Sequence, residues 1–248
     1  MTLWEHLEEL RSRIIRMMLS FIGGAALAWI FRERLLAWLT EPFVQAWSSL
    51  PQGGKASLNF ASPAALFISY VRLSAVAGLV FALPLILYQV WAFIAPGLYS
   101  REKRFALPFV VSSCVLFAAG GWFGWRFAFP AAFHYLLGFA GEVGQLEVKP
   151  TVMVNEYIEF VTHMLLAFGF AAELPILVFF LSVAGLVTHR QLIKFFRYFV
   201  VLAFVISAVL TPPDPLSQLM LAVPLCALYG ISILIAMLFG RKRESADT

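Results

Sequence analysis

Long apolar runs alternate with short polar gaps along the whole chain of 248 residues. A helix needs about 20 apolar residues to cross the hydrocarbon core of a bilayer. The fifth run is short, because as an α-helix it would rise only about 20 Å against a core of about 30 Å. The pattern predicts six membrane-spanning helices, at residues 14–31, 73–94, 105–125, 157–181, 198–210 and 216–239.

The polar gap after the first span has an amphipathic pattern of its own. In the stretch RERLLAWLTEPFVQAW, leucine and aromatic side chains recur at helical spacing. This pattern predicts a helix that lies in the membrane interface at about residues 32–48, outside the spans. Proline lacks an N–H group and clashes with the preceding turn, so we expect Pro42 to divide this helix into two pieces. Prolines within or near the ends of the spans predict kinked rods, at Pro84, Pro108, Pro175 and Pro224.

Composition places the chain in lipid. Apolar residues make up 61% and charged residues 13%, whereas soluble proteins have about 45–50% and about 25%. We therefore predict an all-α integral membrane protein with one polytopic domain over residues 1–248. The net charge of +4 does not indicate nucleic-acid binding, because the basic residues stand at the ends of apolar runs.

The distribution of lysine and arginine predicts the orientation of the spans. Cytoplasmic loops carry the excess of these residues near span ends. With the amino terminus inside, the outer segments hold six basic residues over much longer loops, so we expect both termini to be cytoplasmic. The inner segments hold three each: Arg11, Arg13 and Arg16; Arg101, Lys103 and Arg104; Arg190, Lys194 and Arg197; Arg241, Lys242 and Arg243.

One acid lies within an apolar run. Glu173 interrupts the stretch FGFAAELPILVFFLS, although an acidic side chain at the centre of a span costs about 2.5–3.5 kcal/mol on insertion scales. One interpretation is a protonated carboxyl that is hydrogen-bonded to another helix. The other is a carboxyl that faces a water-filled concavity or a partner's helix. Pro175 adds polarity nearby by freeing a backbone carbonyl one turn earlier.

Two further acids are predicted at the cytoplasmic face. Glu9 precedes Arg13 by four residues, so a local helical ion pair is one interpretation. Glu102 begins the third span, where an acid also favours the helix dipole. If Glu9 and Glu102 come together, they form a site suited to two arginines. A carboxylate binds the guanidinium fork through two parallel hydrogen bonds, which lysine cannot copy.

The last outer turn, LTPPDPLSQ, predicts the start of the sixth span. Asp214 followed by Pro215 is typical of an N-cap with proline at the first helical position. Thr211 and Gln218 flank this turn and are candidates for polar contacts with another protein's helix.

These polar stretches resemble the TatC family, the multi-spanning receptor of the twin-arginine protein translocase. The resemblance implies a concave, glove-like bundle of six kinked helices with short fifth and sixth spans. It implies a multi-pass protein of the prokaryotic cytoplasmic membrane, without catalytic activity or a cofactor. The matching stretches occur in family order: HLEELRSR at residues 6–13, LPLILYQVWAFIAPGLYSREKR at 83–104, FGFAAELP at 168–175 and LTPPDPLSQ at 210–218.

The resemblance also implies a function. Family members bind signal peptides with paired arginines on folded cargo. They then assemble with single-span TatA- and TatB-type subunits into an oligomeric translocase that is driven by the proton-motive force.

The resemblance assigns roles to individual residues. Glu173 would face the hollow, where it would hydrate and thin the bilayer or take a polar contact from a partner or signal helix. Pro42 and Asp214 would be structural, and Thr211 and Gln218 would contact a partner helix. The signal-peptide site would comprise Glu9, Arg11, Phe93, Pro96, Tyr99 and Glu102.

Two other classes of function rank below this one. A secondary transporter with Glu173 as proton relay requires ligand groups at depth on several spans, but the sequence has one strong acid there. A membrane protease requires a nucleophile, but no Gly-x-Ser-Gly motif occurs. The four histidines, His6, His134, His163 and His189, do not have the spacing of metal ligands.

Overall fold

The computed structural model describes residues 3–49, 55–94, 106–143, 146–183, 185–211 and 214–240. A π-helical turn, Gly124–Ala128, joins the fourth and fifth helices, and a small antiparallel hairpin of β1 (Gly141–Val143) and β2 (Leu146–Val148) follows them. The helices are α1 (Leu3–Ile30), α2 (Arg32–Ser48), α3 (Pro63–Ile94), α4 (Ala106–Phe123), α5 (Phe129–Leu137), α6 (Val154–Ala172), α7 (Leu174–Val183), α8 (His189–Leu210) and α9 (Pro215–Phe239).

Six helical segments of the described chain are long and apolar enough to cross a membrane, as predicted. They are α1, α3, the α4–α5 segment, the α6–α7 segment, α8 and α9. The last two are the shortest, with 22 and 25 residues against 27 to 31 for the others. The predicted helical membrane fold with six spans is therefore confirmed, and the hairpin is an addition that the apolar pattern did not indicate.

The fifth span is longer than its apolar run. Helix α8 begins at His189, nine residues before the predicted start at residue 198. Thr188 and Gln191 form a capping box, in which each side chain satisfies the other residue's backbone N–H. The cap starts the helix before its apolar part, so that the 22 residues rise about 33 Å. The helix is thus longer than the 13-residue apolar run, because hydropathy does not register a polar but well-capped first turn.

The prediction about Pro42 was also wrong. Helix α2 has the predicted bounds of residues 32–48, but it continues through Pro42 without a break. The turn around Pro42 is held by packing, since Leu39, Pro42 and Phe43 are buried. The Tyr157 hydroxyl donates to the Leu39 carbonyl at 2.8 Å. The neighbouring Trp38 carbonyl is the one to which Pro42, having no N–H, cannot donate. Tertiary contacts thus compensate for the proline.

The α6–α7 span bends at Glu173. Pro175 cannot donate to the Ala171 carbonyl. Glu173 N donates to Phe170 O at 3.1 Å, three residues back along the chain where an α-helix would use the fourth. The helix resumes at Leu174. The predicted kink is confirmed here, and the acid lies at the bend itself.

Two compact units make up the chain, and the boundary between them passes through the long helices. The first comprises Met1–Val115 and Leu136–Thr162. Within it, α1 lies along α3, and their backbones approach so closely at Gly24 that an added Cβ would lie 2.4 Å from the Gly78 carbonyl oxygen. Asn59 also exchanges backbone hydrogen bonds with Val152 and Val154, which ties the α2–α3 connection to the start of α6.

The second unit comprises Leu116–Tyr135 and His163–Thr248. Here α9 packs against α7 and α8. The Tyr229 ring stacks on Phe199 with centroids 4.1 Å apart, and its hydroxyl donates to the Leu192 carbonyl at 3.1 Å. Buried serines on three helices let these helices pack closely: Ser182, Ser207, Ser217 and Ser232.

The α1–α3 contact predicts a difference between two adjacent glycines. Gly24→Ala should destabilise the protein by about 1–3 kcal/mol, because the new methyl group meets backbone that cannot move aside. Gly23→Ala should change stability by less than about 1 kcal/mol, because nothing lies within 4 Å of its added Cβ. Thermal unfolding of both purified variants in one detergent measures the difference, and equal midpoints would contradict the close contact.

Candidate functional site

A cluster of polar and aromatic side chains lies where the first turns of α1 meet the last turns of α3. Arg13 donates to Oε1 of Glu9 from Nε at 2.9 Å and also from Nη2. Its Nη1 lies 3.4 Å from Oε1 of Gln89 on α3. The Glu9 and Arg13 side chains are only 19% and 17% exposed. The ion pair predicted from the i,i+4 spacing is confirmed, and it is also a link between two helices.

An aromatic stack closes the other side of Glu9. His6 lies on Phe93 with ring centroids 4.5 Å apart and ring planes 17° apart. Its Nδ1 is 4.0 Å from Oε2 of Glu9. The stack and the ion pair together enclose the carboxylate between α1 and α3.

The predicted signal-peptide residues are only partly within the described chain. Glu9 and Phe93 are half-buried in this cluster, and Arg11 is exposed on α1. Pro96, Tyr99 and Glu102 lie outside the described residues. The approach of Glu9 to Glu102 therefore stays a prediction.

The intramembrane acid is placed by the bend between α6 and α7. Glu173 is half-buried, and its Oε1 is shielded from solvent by the protein. Its backbone carbonyl accepts from Leu177 N at 3.0 Å, which starts α7. The expected contact of Glu173 with a hollow or a partner helix stays a prediction.

The last outer turn has the predicted cap. Asp214 is the N-cap of α9, its Oδ1 accepts from Ser217 N at 2.8 Å, and Pro215 occupies the first helical position. Gln218 lies half-buried in the first turn of α9. Thr211 is buried at the end of α8, and its hydroxyl donates to the Ser207 carbonyl at 2.8 Å. A role of Thr211 and Gln218 in partner binding stays a prediction.

A family model matches most of the chain. The model described as Sec-independent protein translocase protein (TatC) matches residues 5–224. The chain belongs to the TatC family.

Individual TatC proteins match over nearly the full length. The chain is 40% identical to the Sec-independent protein translocase protein TatC of Aquifex aeolicus over 244 residues, which cover 98% of each chain. It is 39% identical to the TatC protein of Desulforapulum autotrophicum over 243 residues, which cover 98% of this chain and 87% of that protein.

Solved structures agree. A crystal structure described as Twin Arginine Translocase Receptor TatC superimposes with a TM-score of 0.82 and 37% identity, over 95% of this chain and 100% of that one. The chain is thus a subunit of the Sec-independent translocase of the prokaryotic cytoplasmic membrane, which it spans several times. As a TatC protein it is a transport component and not a catalytic enzyme.

Two members of this TatC protein's α1–α3 cluster, Gln89 and His6, were not predicted as site residues from the sequence. Gln89 is the amide in the otherwise apolar stretch LPLILYQVWAFI, and His6 precedes Glu9 by three residues on the same helical face. A rare polar residue at the end of a span is the signal that could have found Gln89. Among the described residues, no three His, Cys, Asp or Glu side chains converge as metal ligands would.

Asp214 can stabilise the start of α9 in two ways, by the hydrogen bond of its N-cap or by its negative charge. Asp214→Ala should cost about 0.5–2 kcal/mol, because Ser217 N loses its acceptor. Asp214→Asn should cost only a few tenths, since asparagine caps almost as well. Chemical or thermal unfolding in detergent provides the comparison. Equal destabilisation by both substitutions would mean that the charge, and not the cap, stabilises this turn.

Proposed function

We propose that this chain is the signal-peptide receptor of its translocase and that Glu9 accepts an arginine of the peptide. The observation that carries the proposal is that Glu9 already holds a guanidinium, that of Arg13, in a half-buried site between two helices. Such a site strengthens charge-assisted hydrogen bonds, because little water competes for the carboxylate. The similar crystal structure described as a twin-arginine translocase receptor supports the same function.

The arginine pair of the signal peptide requires a second acceptor. Glu102 supplies it, and Arg11, Pro96 and Tyr99 shape the surrounding surface. Phe93 stacks on His6, whose Nδ1 lies 4.0 Å from Oε2 of Glu9, and guanidinium groups also stack favourably on aromatic rings. With both termini in the cytoplasm, this site meets folded cargo before transport begins.

Assembly with TatA- and TatB-type single-span subunits involves the α8–α9 end of the chain. Thr211 and Gln218 contact the partner helix there. Helix α8 supports this assignment because it exposes a long apolar face, with Val201, Val205 and Val209 more than half exposed. A partner helix can pack on such a face while a polar residue at its edge fixes the register. The assembled oligomer is driven by the proton-motive force.

Glu173 acts at the bend of the fourth span. Its carboxyl hydrates and thins the bilayer locally, or it takes a polar contact from a partner or signal helix. The bend supports both versions, because a broken helix presents backbone polarity beside the acid. An acid within a span is by default a functional residue.

The first prediction for this function concerns peptide binding. Glu9→Gln should weaken binding of a twin-arginine peptide by about tenfold or more, since the peptide's guanidinium then meets an uncharged amide in place of a carboxylate. The double variant Glu9→Gln/Glu102→Gln should bind more weakly still. Titration of a fluorescent peptide into the detergent-solubilised chain measures both.

Two controls make that result specific. Glu8→Gln removes the same charge from an exposed neighbour and should leave binding unchanged. A peptide with paired lysines should bind the unaltered chain weakly. Full binding by the double variant, or equal binding of the lysine peptide, would rule out the acid-pair site.

The second prediction concerns transport. Glu173→Ala should abolish most export of folded cargo, because the bend loses its polar side chain. Glu173→Gln should retain more export, since the amide keeps the polarity. Glu156→Ala removes an exposed acid at the start of α6 and should export normally. The fraction of a folded reporter found outside the cytoplasmic membrane is the measurement, and normal export by Glu173→Ala would contradict the proposed role.

A further inference from the structure

The carboxylate assigned to the signal peptide is already occupied by an arginine of the same chain. Both Nε and Nη2 of Arg13 donate to Oε1 of Glu9. The other oxygen, Oε2, is enclosed and accepts no hydrogen bond within the described chain. Arg13 therefore binds Glu9 with the same chemical group that the peptide would bring.

We propose that Arg13 is an internal competitor of the signal peptide, which must displace it from Glu9 before it can bind. This inference rests on the proposed receptor function and adds a residue that sets the affinity of that site. A guanidinium fork needs both oxygens of a carboxylate for its two parallel bonds. While Arg13 holds Oε1, and Oε2 is enclosed with Nδ1 of His6 4.0 Å away, a second fork cannot reach the pair.

Gln89 makes the displacement feasible. Its side-chain oxygen lies 3.4 Å from Nη1 of Arg13, on the other helix of the pair. When Arg13 leaves Glu9, its guanidinium keeps this acceptor and stays near the site. The charge then does not have to move into an apolar environment, which would be costly.

Internal competition has a defined thermodynamic signature. If only the state with Glu9 released binds the peptide, the apparent affinity is the intrinsic affinity multiplied by the fraction of molecules in that state. The same factor applies to every ligand that uses Glu9, whatever its strength. Arg13 therefore lowers all such affinities together, and it does not by itself select arginine over lysine.

The test removes the competitor and measures peptide affinity. Arg13→Gln should tighten binding of a twin-arginine peptide by roughly threefold to tenfold, as expected when a partly buried ion pair no longer competes. A weaker peptide with one arginine replaced by lysine should gain the same factor. Titration of both fluorescent peptides into the full-length chain in detergent gives the four affinities needed.

A matched control separates competition from general charge repulsion. Arg16→Gln removes an equal charge from an exposed position one turn away, and it should change affinity less than twofold on the scale of exposed charges. In a Glu9→Gln background, Arg13→Gln should have no effect, because there is no carboxylate left to release.

Arg13→Lys keeps the charge beside Glu9 but loses the fork, and it should show a smaller gain in the same direction. This variant keeps the test decisive if Arg13→Gln does not fold.

The outcomes distinguish this inference from the receptor function. Weaker or unchanged binding by Arg13→Gln and Arg13→Lys, with loss of binding by Glu9→Gln, would overturn the competitor alone and make Arg13 a positioning residue. Equal gains by Arg13→Gln and Arg16→Gln would also overturn it. Unaltered binding by Glu9→Gln would instead remove the receptor site on which it rests.

Discussion

Backbone hydrogen bonding in lipid is the constraint on which this structure depends. No water is present in the bilayer core to satisfy an N–H or C=O group, so each spanning segment must be helical and each irregularity needs its own compensation. Within the described part of the chain, such irregularities include the bend at Glu173 and the π-helical turn Gly124–Ala128. At the bend, Pro175 cannot donate to the Ala171 carbonyl, and Glu173 N satisfies its own donor through an i→i−3 hydrogen bond to Phe170 O. Such a point is costly to keep, and here it coincides with the acid of the fourth span.

The α1–α3 contact connects packing with recognition. Gly24 and Gly78 let the two helices approach to the limit of backbone contact, and the contact continues to the end of the pair, where Glu9 and Arg13 meet Gln89 and His6 meets Phe93. A carboxylate on an isolated helix would be well hydrated, and its ion pair would be worth little. Enclosure between two helices strengthens the same ion pair and restricts the directions from which a cation can approach the carboxylate. The proposed receptor site is therefore a product of helix packing.

Several elements could be predicted from the sequence because local chemistry alone produces them. Asp214 and Pro215 form the cap that their order indicates, and Glu9 pairs with Arg13 as the i,i+4 spacing requires. Helix α2 has the predicted bounds. The predicted break at Pro42 does not occur. Burial of Leu39 and Phe43 and the hydrogen bond from the Tyr157 hydroxyl hold the turn together, and these are tertiary contacts that no local rule describes.

The sequence by itself determined that the chain lies in a lipid bilayer, how many spans it has and to which family it belongs. Hydrophobic run length and short polar motifs are properties of contiguous residues. It also made Glu173 a candidate functional residue, since an acid among apolar side chains is conspicuous in one dimension. Only the tertiary structure decided that α8 starts at a capping box, that the fourth span bends at Glu173, and that Gln89 and His6 join Glu9. These features depend on which atoms approach across space, and an approach between residues 76 positions apart leaves no mark on local periodicity.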